Sequence, residues 1–244
     1  MQSFLRNKGY YDSKINAQIK YKGKKKAKVI YTVDLGKPYT VNNITLKTPL
    51  AHMKKLLNED SLNLPVKKES LFDINMLNTE RQYISNLFQN KGYYDFNEYY
   101  VHYKADTTIG NQKVNLVIEI DNPLIKQEGS DSLYTAKHNR YRIRNIYVQP
   151  DFNAANPNLP STDTLTVLGD ISRSRRTWKL DTTMINYIFR DTLKYKPTPI
   201  NKAIYFKQNK YYQLSQHQET YQQLNNLGIF NYIKIDYKKV TTDT

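Results

Sequence analysis

The chain has 244 residues, 39% of them hydrophobic and 24% charged, with a net charge of +15, 22 Tyr and no Cys. The lack of Cys excludes a disulfide framework and thiolate chemistry, and no run of apolar residues is long enough to span a membrane as a helix. A mean hydropathy of −0.75 suits several small domains better than one large core, and the positive balance favours anionic partners.

The opening Met1-Gln2-Ser3-Phe4-Leu5 carries no signal-peptide pattern and reads as the end of a helix already under way, so a piece of a longer protein is expected. Lys8-Gly9-Tyr10-Tyr11-Asp12 then turns the chain. Gly supplies the left-handed residue that ends a helix, and Asp serves the turn. Ile15, Ala17, Ile19 and Tyr21, then Ala27, Val29, Tyr31 and Val33, alternate on either side of a Lys-rich turn. They predict a hairpin with one face covered by helices.

After the linker Gly36-Lys37-Pro38, residues 39–48 predict a strand and residues 50–58 a short helix. A longer helix over 73–90 has Asp73 as N-cap and Ile74, Leu77, Ile84, Leu87 and Phe88 on one face. Lys91-Gly92-Tyr93-Tyr94-Asp95 repeats the first corner. Residues 97–104 and 113–122 predict two strands joined through Gly110-Asn111. In the first of them Tyr99, Val101 and Tyr103 take the core face.

A polar linker over 126–139 leads to Tyr141-x-Ile143-x-Asn145-Ile146-x-Val148, a copy of Tyr39-x-Val41-x-Asn43-Ile44-x-Leu46. An insertion over 149–199 follows. Its part 151–164 reads as loop, and 183–189 with 192–196 predicts an extra hairpin around Arg190-Asp191. Ser215-x-x-Gln218 predicts a capping box for a helix running to Leu227, closed by a third corner at Gly228-Ile229-Phe230. Two motifs recurring in one order mark a modular chain. The units are 1–36 (the last part of one), 37–125 (a complete one) and 139–244 (one carrying the insertion and lacking its last strand).

No catalytic, cofactor or metal constellation emerges. His52, His102, His138 and His217 are not at ligand spacing and read as surface or strand residues. The glycines form no phosphate loop, and no nucleophile elbow exists. Lys20, Lys22, Lys24, Lys25, Lys26 and Lys28 form a basic run, readable as an electrostatic patch for anionic lipid or acidic clients, or as a solvated hairpin whose charges block edge pairing. Arg173, Arg175 and Arg176 near Trp178 form a second basic cluster suited to phosphate or carboxylate.

The order strand–helix–helix–strand–strand, with Gly92-Tyr93-Tyr94 closing the second helix, resembles a POTRA (polypeptide-transport-associated) domain. Gly36-Lys37-Pro38-Tyr39-x-Val41-x-Asn43-Ile44 is similar to the opening of such a unit. Glu219-Thr220-Tyr221-x-x-Leu224-x-x-Leu227-Gly228-x-Phe230 resembles the helix and corner of the unit nearest the barrel. The family implied is the BamA/TamA-like outer-membrane assembly proteins of Gram-negative bacteria, including their surface-antigen-like members.

The resemblance implies an α+β fold of tandem βααββ modules, each a three-stranded mixed sheet covered by two helices. It implies a non-enzymatic periplasmic scaffold without cofactors, preceding a β-barrel in the outer membrane. Its partners would be unfolded outer-membrane clients and periplasmic or lipoprotein partners, captured by β-augmentation. The free edge would be the strand at 97–104, with Tyr99, Tyr100, Val101, His102 and Tyr103 as partner-binding residues and 15–21 and 233–237 as counterparts. The alternative is a basic protein that binds single-stranded nucleic acid, which needs aromatics beside basic residues on one open face. Placing Tyr99 and Tyr103 in the core argues against it.

Overall fold

The computed structural model describes residues 1–23, 25–127, 129, 131–152, 163–169 and 183–240. These form two compact units, Met1–Phe88 with Asp95–His138 and Gln89–Tyr94 with Asn139–Thr244.

In the first unit a short helix α1 (Gln2–Asn7) leads into a hairpin of β1 (Lys14–Tyr21) and β2 (Ala27–Asp34). Then come β3 (Thr40–Lys47), α2 (Ala51–Glu59) and α3 (Ile74–Gln89), whose last residue already counts with the second unit. β4 (Val101–Asp106) and β5 (Lys113–Ile120) complete a sheet of order β3-β5-β4. β3 runs parallel to β5 and β4 antiparallel to it, so the sheet is mixed.

The alternation in β5 explains its central place. Val114, Leu116, Ile118 and Ile120 are all buried, and Val114 and Leu116 meet Val41, Val66, Phe72 and Leu77 in one core. Asp73 caps α3 by accepting the Asn75 N–H at 2.8 Å. The β4–β5 connection uses three successive left-handed residues, Gly110, Asn111 and Gln112. A small hairpin of β6 (Leu124–Lys126) and β7 (Leu133–Thr135) ends the unit.

The β1–β2 hairpin departs from expectation. Its register pairs Ile15 with Val33, Ala17 with Tyr31 and Ile19 with Val29 on one face. That face is open, with Ile19, Tyr21, Val29 and Tyr31 all exposed. Leu77 of α3 packs on Val41, Val114 and Leu116 of the β3–β5–β4 sheet, whereas α1, at six residues, buries none of its side chains.

The second unit is ordered differently along the chain. β8 (Ile146–Val148), β9 (Asp163–Leu168) and β10 (Met184–Phe189) precede α4 (Pro197–Ala203) and α5 (Leu214–Asn226). The sheet order is β8-β10-β9, with β10 parallel to β8 and antiparallel to β9. The geometry of the first sheet therefore returns, but the insertion supplies two of its strands ahead of the helices.

The hairpin expected around Arg190-Asp191 does not form. Residues 184–189 pair instead with 163–168, so the strand begins before the end of the expected 151–164 loop, and 197–203 is helical. Ile185 and Tyr187 become central and join Ile146, Ile200 and Phe206 in the core. Residues 229–240 contain no strand, although Ile235 and Tyr237 pack on that core.

The capping box at Ser215-Gln218 is also replaced. The N-cap Gln213 makes no side-chain cap bond; Asn90 Oδ1 accepts the Ser215 N–H at 2.8 Å instead. No helix among the described residues is long and apolar enough to cross a membrane.

Candidate partner-binding edge

Among the described residues, β4 has β5 on one side only. Its start is shaped by Asn97, whose side-chain oxygen accepts the Tyr99 N–H at 3.0 Å and winds Glu98–Tyr100 into a 3-10 turn. The expected strand over 97–104 is therefore a turn followed by a strand. The turn changes which way the tyrosines point. Tyr99 is 79% exposed while Val101 is 1% exposed. Placing Tyr99 on the core face was thus incorrect, because the strand alternation begins only at Val101. Tyr100 packs on Phe96 at 5.5 Å and on His138 at 4.8 Å.

The direction of each main-chain group follows from the register. Asp121 N–H donates to Tyr100 O at 2.9 Å, and Val101 lies opposite Ile120. In an antiparallel pair, bonded and non-bonded positions alternate. Tyr100, His102 and Lys104 therefore face β5, and Val101, Tyr103 and Ala105 turn their N–H and C=O groups to the open edge. Val101 is already occupied: its N–H donates to Glu98 O and its carbonyl accepts from Arg81 Nε at 3.0 Å.

The side chains of His102 and Lys104 lie on the polar face. His102 Nε2 lies 3.1 Å from the Asp121 carboxylate, and Lys104 pairs with Glu119. The hydrogen bond from Lys104 holds the Glu119 carboxyl below its usual range. Arg81, Glu98, Tyr99, Val101 and His102 line a surface pocket at the start of the strand.

Beneath the edge lies a group that sequence reasoning missed. Glu80 on α3 is fully buried. One carboxyl oxygen accepts the Val66 N–H at 2.8 Å; the other, like the Tyr103 hydroxyl, has no hydrogen-bond partner among the described residues. Burial pushes the Glu80 carboxyl up to about 7, against the opposing bond from Val66. Burial, with Glu80 nearby, also raises the Tyr103 phenol. A Glu on the apolar side of an amphipathic helix was the available signal.

The repeated corners have a structural site of their own. In the first unit Gly9 O accepts the Tyr39 N–H at 2.8 Å, and Tyr39 O accepts the Phe72 N–H at 2.9 Å. The Tyr11 ring stands edge-on to Tyr39 at 5.2 Å. In the second unit Gly92, Tyr141, Tyr212 and Tyr94 repeat this set. Tyr141 N–H donates to Gly92 O at 2.8 Å and Tyr212 N–H to Tyr141 O at 2.9 Å, with the Tyr94 ring 5.0 Å from Tyr212.

The left-handed corner is required twice over. Gly9 and Gly92 have φ of +88° and +99°, and a Cβ at Gly9 would lie 2.9 Å from the Phe72 carbonyl oxygen. Lys8 Nζ sits 2.6 Å from Asp73. Burial would raise the Asp73 carboxyl, but the bonds from Lys8 and the Asn75 N–H outweigh it and lower it.

The basic run lies on the β1–β2 hairpin. Lys20, Lys22, Lys25, Lys26 and Lys28 are all exposed, and Lys24 lies outside the described residues. Lys20 stands directly opposite Lys28, a like-charge pairing that weakens the hairpin. Arg173, Arg175, Arg176 and Trp178 also lie outside the described residues.

His138 is not a surface residue. It is 7% exposed, its Nε2 lies 2.7 Å from Asp121 O, and burial lowers its pKa. His217 Nδ1 lies 2.9 Å from the Tyr237 hydroxyl.

No protein-family model matches the chain, and no curated protein matches it. Among solved structures, the chain is similar to the crystal structure of Haemophilus influenzae BamA POTRA3-5 at 12% identity. That match covers 100% of this chain and 72% of the other, with a TM-score of 0.45.

Proposed function

We propose that this chain is the periplasmic scaffold region of an outer-membrane β-barrel assembly or translocation protein, built of POTRA-like units at 1–36, 37–125 and 139–244. It captures extended polypeptides by strand addition to β4. The partners are unfolded outer-membrane clients and periplasmic or lipoprotein partners. Its surface lysines on the β1–β2 hairpin favour an anionic membrane surface nearby.

One observation carries this reading: Tyr103 and Ala105 present main-chain donors and acceptors along an edge with no neighbouring strand among the described residues. Such groups are satisfied by another strand in any sequence, which is what a scaffold for many clients needs. The repeated corners and the POTRA resemblance of the sequence support it. The tyrosines and lysines do not share the open face that nucleic-acid stacking requires, since the exposed Tyr21 and Tyr31 stand on the face of the β1–β2 hairpin opposite Lys20 and Lys28, and Tyr103 is half-buried.

A photo-cross-linking residue at the exposed Ala105, whose main chain faces the open edge of β4, tests this in cells. It should capture extended clients or partners, and the same probe at Lys55 on α2 should not. Equal or absent capture at both positions would refute the proposal.

A further inference from the structure

Strand addition at β4 cannot begin at the start of the strand. Three observations meet there. The Val101 N–H is held by Glu98 O within the 3-10 turn. Arg81 Nε occupies the Val101 carbonyl at 3.0 Å. The Arg81 guanidinium is itself fixed, with Nη1 donating to Asn78 Oδ1 at 3.0 Å and its carbon 5.5 Å from the centre of the Tyr103 ring.

We infer that Arg81 is a register-setting residue for the incoming strand: it closes the edge at Val101 and confines a client to Tyr103 and Ala105. This inference rests on the strand-addition reading of β4 and deepens it. An antiparallel client residue opposite Tyr103 exchanges two main-chain bonds with it, and the residue opposite Ala105 exchanges two more. Continuation past Tyr103 meets a carbonyl already satisfied by a charged donor, and such charge-assisted bonds are the strong ones.

The client leaves the sheet at this point, over the pocket lined by Arg81, Glu98, Tyr99 and His102. The partner is therefore a short extended segment rather than a long strand paired over the whole of β4. The arrangement also explains how an edge can be open to clients without templating edge-to-edge aggregation. Only a short stretch is exposed, and its end is plugged.

The test is fluorescence anisotropy with a short labelled peptide of alternating Val and Thr, on the whole chain and two variants. Arg81→Met keeps the aliphatic cover of the side chain and frees the Val101 carbonyl; it should bind about threefold to tenfold tighter, the worth of one added main-chain bond. Ala105→Pro removes an outward N–H and should abolish binding.

If Ala105→Pro abolishes binding while Arg81→Met binds equally or more weakly, the role given to Arg81 falls and strand addition stands. If binding is indifferent to Ala105→Pro, or the unmodified chain does not bind, strand addition itself falls. Should Arg81→Met fail to fold by circular dichroism, amide exchange on the unmodified chain decides. Peptide should slow Tyr103 and Ala105 and leave Val101 unchanged, and slowing at Val101 would overturn the inference.

Discussion

Replacing Glu80 with Gln should make the first unit more stable at alkaline pH and leave it unchanged at acid pH. The buried carboxyl has a folded pKa of about 7 against an ordinary value of 4.5. A raised carboxyl pKa means that the folded state binds more protons than the unfolded state. The stabilisation is therefore present below pH 4.5 and is lost as pH rises through 7. Integrating between these values, Glu80 removes about 2.5 kcal/mol of stability from pH 5 to pH 8.

Gln is close in shape to the protonated acid and can still accept the Val66 N–H, so the variant should lack this slope. His138 and His217 have lowered pKa values and act in the opposite direction, with stability gained as pH rises. The informative quantity is thus the difference between parent and variant. Urea unfolding followed by circular dichroism at pH 5 and pH 8 measures it. A Gln variant that keeps the parent's pH dependence would refute the assignment of the buried charge to Glu80.

The corners give a graded comparison. Gly9→Ala should cost about 2–4 kcal/mol, since a left-handed φ is joined by contact with a backbone oxygen that cannot move aside. Gly23→Ala, left-handed but with nothing within 4 Å, should cost about 1 kcal/mol; equal thermal shifts for the two would contradict the docked corner. Asn90→Ala should destabilise the start of α5 by about 1 kcal/mol through loss of a cap. This would be read as faster amide exchange at Ser215, and unchanged exchange would show that the cap is made otherwise.

Much of the first unit was legible because its periodicities are unbroken. The 3.6-residue spacing of Ile74, Leu77, Ile84 and Phe88, the two-residue spacing of Val114 to Ile120 and the Asp73 cap each depend on neighbours in sequence. The failures share a different cause, in that distant residues decided them. Whether residues 184–189 pair with 163–168 or 192–196 depends on which partner completes a sheet beside β8, and both choices satisfy local turn chemistry.

Ser215 looked like a cap, yet Asn90 supplies the acceptor from far along the chain. Tyr99 followed the alternation of β4 on paper, but Asn97 winds one turn before the strand and resets the phase. The same turn removed two of the five residues assigned to the edge from the strand. Arg81, which occupies the edge, lies on a helix and carried no signal in a strand-based reading. The corners were recognised as motifs, while their receiving residues Tyr39, Phe72, Tyr141 and Tyr212 became visible as one set only through the hydrogen bonds.

The most direct measurement of the central claim is residue-resolved amide exchange of the whole chain with and without an extended client segment. Tyr103 and Ala105 should exchange rapidly in the free chain and become protected when the segment is added, with Val114 and Leu116 on β5 unaffected. Protection that arises elsewhere while Tyr103 and Ala105 stay unchanged would contradict strand addition at β4.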